Sequence, residues 1–219
     1  MVYMKPKCFI CNSEMDHGYD DLWYCPKCDL MVSDQMPELS IYDMEYAQKY
    51  FRYSHTELGE KINRARWDLV LAYGVSGTIL DYGCGTGQFR KMNPNGAISV
   101  EGYDINPHCG FFKPRVLPQR YDAITLWDVL EHLENPMELV KSFNSELLFL
   151  TTPNASFVPD IPNWKHYYPH EHVIYFTVDS IMAMFDALKY SILEINYMEG
   201  EIRSPEHPEW LMTVVARKH

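Results

Sequence analysis

The stretch Ile79-Leu80-Asp81-Tyr82-Gly83-Cys84-Gly85-Thr86-Gly87 decides the fold. A β-rich run over residues 78–82 delivers Asp81. Glycines at alternate positions then let the chain turn sharply and bring its backbone close to a ligand. Asp104 follows Gly83 by 21 residues, at the end of the next β-rich run, 99–105. A carboxylate there can accept both ribose hydroxyls of an adenosine. A nicotinamide-dinucleotide turn would carry its third glycine at position 88, which is Gln88. A cofactor with adenosine but no phosphates suits this turn better than a pyrophosphate does.

Working outward, the apolar and aromatic residues of 42–73 recur at three- and four-residue spacing, which predicts a helix ended by Gly74, Ser76 and Gly77. Runs 121–127 and 146–151 read as buried strands, with helical patterns over 128–142 and 178–190. Pro136 starts a second helical piece within the first of these. Residues 192–197 and 211–217 read as an antiparallel strand pair. Strands alternating with helices predict an α/β fold, an open and mainly parallel Rossmann-like sheet with helices on both faces.

Before this sheet, Cys8-x-x-Cys11 and Cys25-x-x-Cys28 form two matched pairs separated by 13 residues. Each pair can set two thiolates on one tight knuckle, and two knuckles complete a tetrahedral four-sulfur site suited to zinc. A closed thiolate set leaves no open position, so the expected role is structural. His17, between the pairs, reads as a surface residue. The chain therefore divides into a zinc-ribbon-like module over 1–40 and an α/β domain over 41–219. Cys84 and Cys109 are unpaired and read as packing residues.

Composition bounds the function. The 219 residues carry a formal net charge of −11, and an acidic field repels phosphate backbones, so nucleic acid is a poor partner. No apolar run approaches the roughly 20 residues that cross a bilayer. The first residues lack the apolar core of a secretory signal, which leads to an expectation of a cytoplasmic protein with no membrane contact.

Four motifs in order resemble class I S-adenosylmethionine-dependent methyltransferases: ILDYGCGTGQF, EGYDINP, YDAITLWDVLEHLENP and ELLFLTTPN, within residues 42–219. The resemblance implies an enzyme that binds S-adenosylmethionine or S-adenosylhomocysteine. Asp81 and the turn of Tyr82, Gly83, Cys84, Gly85 and Gly87 would hold the methionine part. Asp104 would hold the ribose, Ile105 would pack on adenine, and Trp127 and Asp128 would border the sulfonium. The pattern departs from the family between Asp104 and Tyr121, where 16 residues are too few for the usual helix, third strand and acidic loop. Phe111 and Phe112 in this segment are candidates for stacking on adenine or for covering a sheet edge.

His170-Glu171-His172, followed by Tyr175-Phe176, resembles the segment that carries catalytic residues in sugar C-methyltransferases, which also place a four-cysteine zinc module before the same domain. That resemblance implies a small-molecule acceptor of the sugar or nucleotide-sugar kind. It makes His172 or His170 the base, assisted by Glu171. The family's tyrosine before H-E-H is Pro169 here, and its large C-terminal domain has no counterpart in these residues. An RNA or protein acceptor docked by the zinc module, and a donor-binding protein without catalysis, are the competing expectations. Tyr42, Tyr46, Tyr50 and Tyr53 lie where an aromatic cover over the donor can sit, although their helical spacing favours the core. His132, one helical turn after Asp128, reads as a buttress of the site.

Overall fold

The computed structural model describes residues 5–19, 21–35, 39–109 and 119–219; Phe111 and Phe112 lie outside the described residues. The N-terminal module is a small antiparallel sheet of β1 (Asp16–His17), β2 (Leu22–Cys25) and β3 (Leu30–Ser33). In each knuckle the residue after the second cysteine turns left-handed, Asn12 at φ 59° and Asp29 at φ 52°. These two residue types tolerate that conformation best after glycine.

The helix expected over 42–73 is two helices, α1 (Met44–Ser54) and α2 (Glu57–Ala72). The break is local chemistry. Asp43 caps α1 by accepting from Tyr46 N, and Thr56 caps α2 by accepting from Gly59 N. Gly59 is required where the helices meet, because a Cβ there would press on the Tyr53 carbonyl.

The main sheet then runs through β4 (Thr78–Tyr82), the short α3 (Gln88–Lys91), β5 (Ser99–Tyr103), β6 (Tyr121–Trp127), α4 (Pro136–Ser142) and β7 (Ser145–Pro153). After a long connection come β8 (Ile174–Tyr175), α5 (Val178–Ala187), β9 (Tyr190–Asn196), α6 (Met198–Arg203) and β10 (Leu211–Lys218). The strand order is β5-β4-β6-β7-β10-β9, parallel over the first four. β10 is antiparallel to both neighbours and wedges between β7 and β9. Strands β6 and β7 are buried on both faces, which is why they read as continuous apolar runs. Each buried Leu, Ile or Phe in them contributes about 1.5–3 kcal/mol.

Two features were not legible beforehand. The helical pattern after Asp128 is only a 3₁₀ turn at Leu130–His132, and α4 begins after it with Asn135 as its cap. The other is β8, which leaves the main sheet and pairs antiparallel with β3, Met31 opposite Tyr175 and Val32 opposite Ile174. The cysteine module is thus completed by a strand from the far end of the chain. Cys8, Met15, Cys25 and Leu30 share one apolar core with Leu150, Phe176 and Ile181. Thr177 Oγ1 adds a 2.7 Å hydrogen bond to the Asp29 carbonyl.

Candidate active site

At the carboxyl ends of β4, β5, β6 and β7 lies a cavity of about 900 Å³, roofed by α1 and walled by the connection before β8. Open α/β sheets bind ligands at this place. The glycine turn forms its floor. Gly83 N and Cys84 N donate to the Tyr103 carbonyl at 2.7 and 2.9 Å, which ties the turn to β5. Gly83 (φ 77°) has no room for a side chain, since a Cβ would collide with Val129. Gly85 (φ 50°) has open space where a Cβ would stand, so its backbone faces the cavity unobstructed. Gly87 caps α3 in a left-handed conformation and stays off the lining.

Asp81 is buried and accepts the Thr125 hydroxyl at 2.8 Å. Burial pushes its pKa up to about 6. Asp104 accepts Gly85 N (2.7 Å) on one oxygen and Asn106 N (2.8 Å) on the other. Each carboxylate oxygen keeps a further lone pair, so ribose hydroxyls can still donate to it. Ile105 is half exposed on the lining, Tyr82 stacks obliquely on Tyr103, and Cys84 and Cys109 line the same end.

Trp127 lies under the Arg66 guanidinium, 4.8 Å from it. Asp128, at φ 55°, lines the cavity and accepts from Arg203 (2.9 and 3.0 Å) and Arg66 (3.3 Å). Glu199 completes this network. Fully buried, it accepts from two of the three Arg66 nitrogens at 2.6 and 2.8 Å and from the Thr151 hydroxyl. Sequence reasoning missed Arg66, Glu199 and Arg203. Only the Glu199/Arg203 spacing of one helical turn hinted at a pair.

The expected tyrosines line the cavity rather than the core. Tyr42, just before α1, meets Tyr46 edge-on and Tyr46 meets Tyr50 at a tilt, with ring centroids 5.1 and 4.5 Å apart, and Tyr53 follows them. Tyr46 donates to Glu171 at 2.8 Å, so the roof is latched to the histidine segment. Their exposure follows from α1 packing as a cover instead of an interior helix.

Of the H-E-H residues, Glu171 and His172 line the cavity, while His170 stands exposed and away from it. His172 meets His132 edge-on, ring centroids 4.8 Å apart, and His166 joins them on the lining. Burial pushes the pKa of His172 down to about 3 and that of His166 down to about 4. Both are therefore neutral at physiological pH. Glu131, next to His132, is buried, and burial holds its carboxyl well above the usual range.

Four buried polar atoms on this lining have no hydrogen-bond partner among the described residues: Gln88 Oε1, Trp127 Nε1, Glu131 Oε1 and His166 Nε2. Such an atom costs about 1–3 kcal/mol when left unpaired, so the cavity is built for a polar ligand. Two donors and acceptors near the glycine turn and two near the histidines suit a ligand at each end.

A family of methyltransferase domains matches residues 49–195. The chain belongs to this family. It is a class I S-adenosylmethionine-dependent methyltransferase by fold. An S-adenosylmethionine-dependent methyltransferase from Clostridium acetobutylicum superposes with a TM-score of 0.58 at 10% identity, covering 79% of this chain and 98% of that one. The magnesium protoporphyrin IX methyltransferase of Synechocystis, with bound S-adenosylmethionine, gives 0.54 at 16% identity, covering 80% and 84%. The methyltransferase domain of bacterial CtHen1-C gives 0.56 at 16% identity, covering 74% and 99%. No curated protein matches this methyltransferase in sequence.

Away from the cavity, the sulfurs of Cys8, Cys11, Cys25 and Cys28 lie within 4.8 Å of one another, Cys11 and Cys25 at 3.6 Å. A tetrahedral ion about 2.3 Å from each sulfur sets neighbouring sulfurs roughly 3.8 Å apart, so the donor set fits zinc. No helix among the described residues is long and apolar enough to cross a membrane.

Proposed function

We propose that this methyltransferase moves the methyl group of S-adenosylmethionine to a small hydroxyl-bearing acceptor of the sugar or nucleotide-sugar kind. One observation carries the reading. A single undivided cavity joins Asp81, Gly85 and Asp104 to Trp127, Glu171 and His172. A donor seated on the glycine turn and an acceptor at the histidines would meet within it. Alignment of the two is most of what methyl transfer from a sulfonium requires.

In this assignment Asp81 and the 82–85 turn hold the methionine part of the donor, and Asp104 holds the ribose. Ile105 packs beside adenine, and the Trp127 face borders the methyl group. Trp127 Nε1 and Gln88 Oε1 gain partners from the donor. His172 is neutral and weakly basic, which suits it to accept a hydrogen bond from the acceptor's hydroxyl and orient it. Glu171, on the same lining, takes the proton as the oxygen attacks the methyl carbon and the carbon–sulfur bond breaks. His170, exposed, has no part in this step.

Residues 1–40 act as a zinc module with Cys8, Cys11, Cys25 and Cys28 as ligands, and 41–219 as the catalytic domain. The zinc would supply folding energy and no chemistry at the cavity. The acidic net charge of −11 supports a small acceptor over RNA, and free cysteines suit a reducing, cytoplasmic setting.

The test is calorimetry with S-adenosylmethionine, followed by turnover on a panel of sugars and nucleotide-sugars, with bulk tRNA as a counter-substrate. Micromolar donor binding and methylation of a panel member are the expected results. Absence of donor binding, or methyl transfer to tRNA alone, would overturn the reading.

A further inference from the structure

Glu131 and His132 are adjacent on the 3₁₀ turn after β6, and His172 lies 40 positions further along. The chain brings them together by backbone pairing: Val173 N donates to the Glu131 carbonyl at 2.8 Å. One ligand-capable atom from each of the three lies within 4.8 Å of the others. Glu131 Oε1 and His132 Nε2 are 4.0 Å apart.

Three details select a cation as what belongs between them. His132 Nδ1 and His172 Nδ1 each sit 2.9 Å from a backbone carbonyl, of Glu171 and His166 respectively. A carbonyl can only accept, so both rings carry their proton on Nδ1 and present an Nε2 lone pair. That is how a protein fixes metal-binding imidazoles. Glu131 is 1% exposed, and its Oε2 is satisfied by the Thr152 hydroxyl at 3.0 Å. Its Oε1 has no partner. Glu131 Oε1 and one nitrogen of each imidazole thus lie close enough for a single cation to engage all three, displacing any proton held there. Atoms bound about 2.1 Å from a common ion stand roughly 3–3.4 Å apart, so side-chain rotations of about an ångström close the set.

We propose that Glu131, His132 and His172 form a second metal site, which takes a divalent first-row cation within the acceptor end of the cavity. Two imidazoles and one carboxylate favour manganese, iron, cobalt or zinc over magnesium and calcium. The site differs from the thiolate site in being open. Its three ligands line the cavity, so further positions on the ion face the acceptor. With the ion in place the acceptor's hydroxyl oxygen binds it instead of hydrogen-bonding to His172, becomes more acidic and passes its proton to Glu171. The existence of the site stands on these residues alone, while its role in the reaction rests on the proposed methyl transfer.

The experiment uses the full chain with its thiolate site loaded with zinc. Co²⁺ is titrated in while the visible spectrum is followed. The expected result is one additional cobalt per chain, with weak ligand-field bands and no thiolate charge-transfer band in the near ultraviolet. Glu131→Gln and His132→Gln should each weaken that binding by about 100-fold. S-adenosylhomocysteine affinity, measured on the same samples, should stay within about threefold of the parent. That measurement verifies the fold and separates failure of the metal site from failure of the donor site. Without any variant, Mn²⁺ added to the parent chain should broaden the ring-proton resonances of His132 and His172 ahead of exposed His17 and His170. No cobalt beyond the thiolate site, undiminished binding in both variants, or broadening confined to exposed histidines would each overturn the proposal.

Discussion

Two clusters of metal-capable side chains stand in this methyltransferase, and they are built in opposite ways. Cys8, Cys11, Cys25 and Cys28 come from two short turns, close a complete four-sulfur set and lie off the catalytic cavity. Glu131, His132 and His172 are three, of mixed chemistry, and are assembled across the fold on the cavity wall. The first can hold an ion only by enclosing it. The second leaves room for something else to bind. A closed site adds to folding energy, whereas an open one can add to chemistry. They are mechanically joined, since β8 pairs with β3 of the cysteine module and directly follows His172 and Val173. Ser33 N also donates to the Val173 carbonyl at 2.8 Å. The cysteine module therefore buttresses the segment that carries His172.

The contrast can be broken most directly at Cys25, which is fully buried. A structural zinc contributes roughly 10–16 kcal/mol. We expect Cys25→Ser to lose at least about 5 kcal/mol, lowering Tm by more than about 10 °C in a calorimetric scan. An unchanged Tm would mean that the sulfur cluster is not a folding element.

Next in size is Glu199→Ala, which leaves Arg66 and Arg203 beside Asp128 without their buried partner. A loss of about 3–5 kcal/mol in urea denaturation is expected. A loss under about 1 kcal/mol would show that this network does not brace the fold.

The donor end should respond to pH. Asp81 titrates near pH 6 because of its burial. Protonation removes the charge that would face the cationic donor, so affinity should fall as pH drops through about 6. The limit is about tenfold per pH unit for one linked proton. Calorimetry between pH 5 and 8 measures it, and a flat profile would take Asp81 out of donor binding.

Thr177→Val removes both the cap of α5 and the bond to the Asp29 carbonyl. About 1–2 kcal/mol should be lost. The denaturation should remain one transition, because module and sheet share a core. Two separated transitions would show that the module unfolds alone. The smallest effect belongs to Glu131→Gln. Burial already favours the uncharged carboxyl there, and the amide is nearly its isostere. Tm should change by less than about 3 °C, in contrast to Cys25→Ser.

How much was legible follows from how local each feature is. The cysteine spacing, the glycine turn, Asp104 and the β6 and β7 runs are each contained in one contiguous stretch. Their reading required only turn geometry and burial. The continuous helix over 42–73 failed because Thr56 competes for the backbone as a cap, a local preference hidden under a strong apolar period. Helical spacing favours the core for Tyr42, Tyr46, Tyr50 and Tyr53, but spacing does not say what faces them. Position after β6 places Asp128 on the cavity lining, but its pairing with Arg66 and Arg203 joins helices far apart in sequence and has no local signal.

The sequence by itself determined that a strand, a glycine turn and a carboxylate would meet at one end of the sheet, and that two paired cysteine knuckles would make a four-sulfur cluster. Turn conformation and ligand spacing are set by neighbours in the chain. Only the tertiary structure decided that β8 would complete the cysteine sheet and that Glu131, His132 and His172 would converge while His170 would not. Those outcomes depend on strand pairing and backbone hydrogen bonds between segments up to about 140 residues apart in sequence. No local preference encodes such pairings, which arise when the sheets close over a common core.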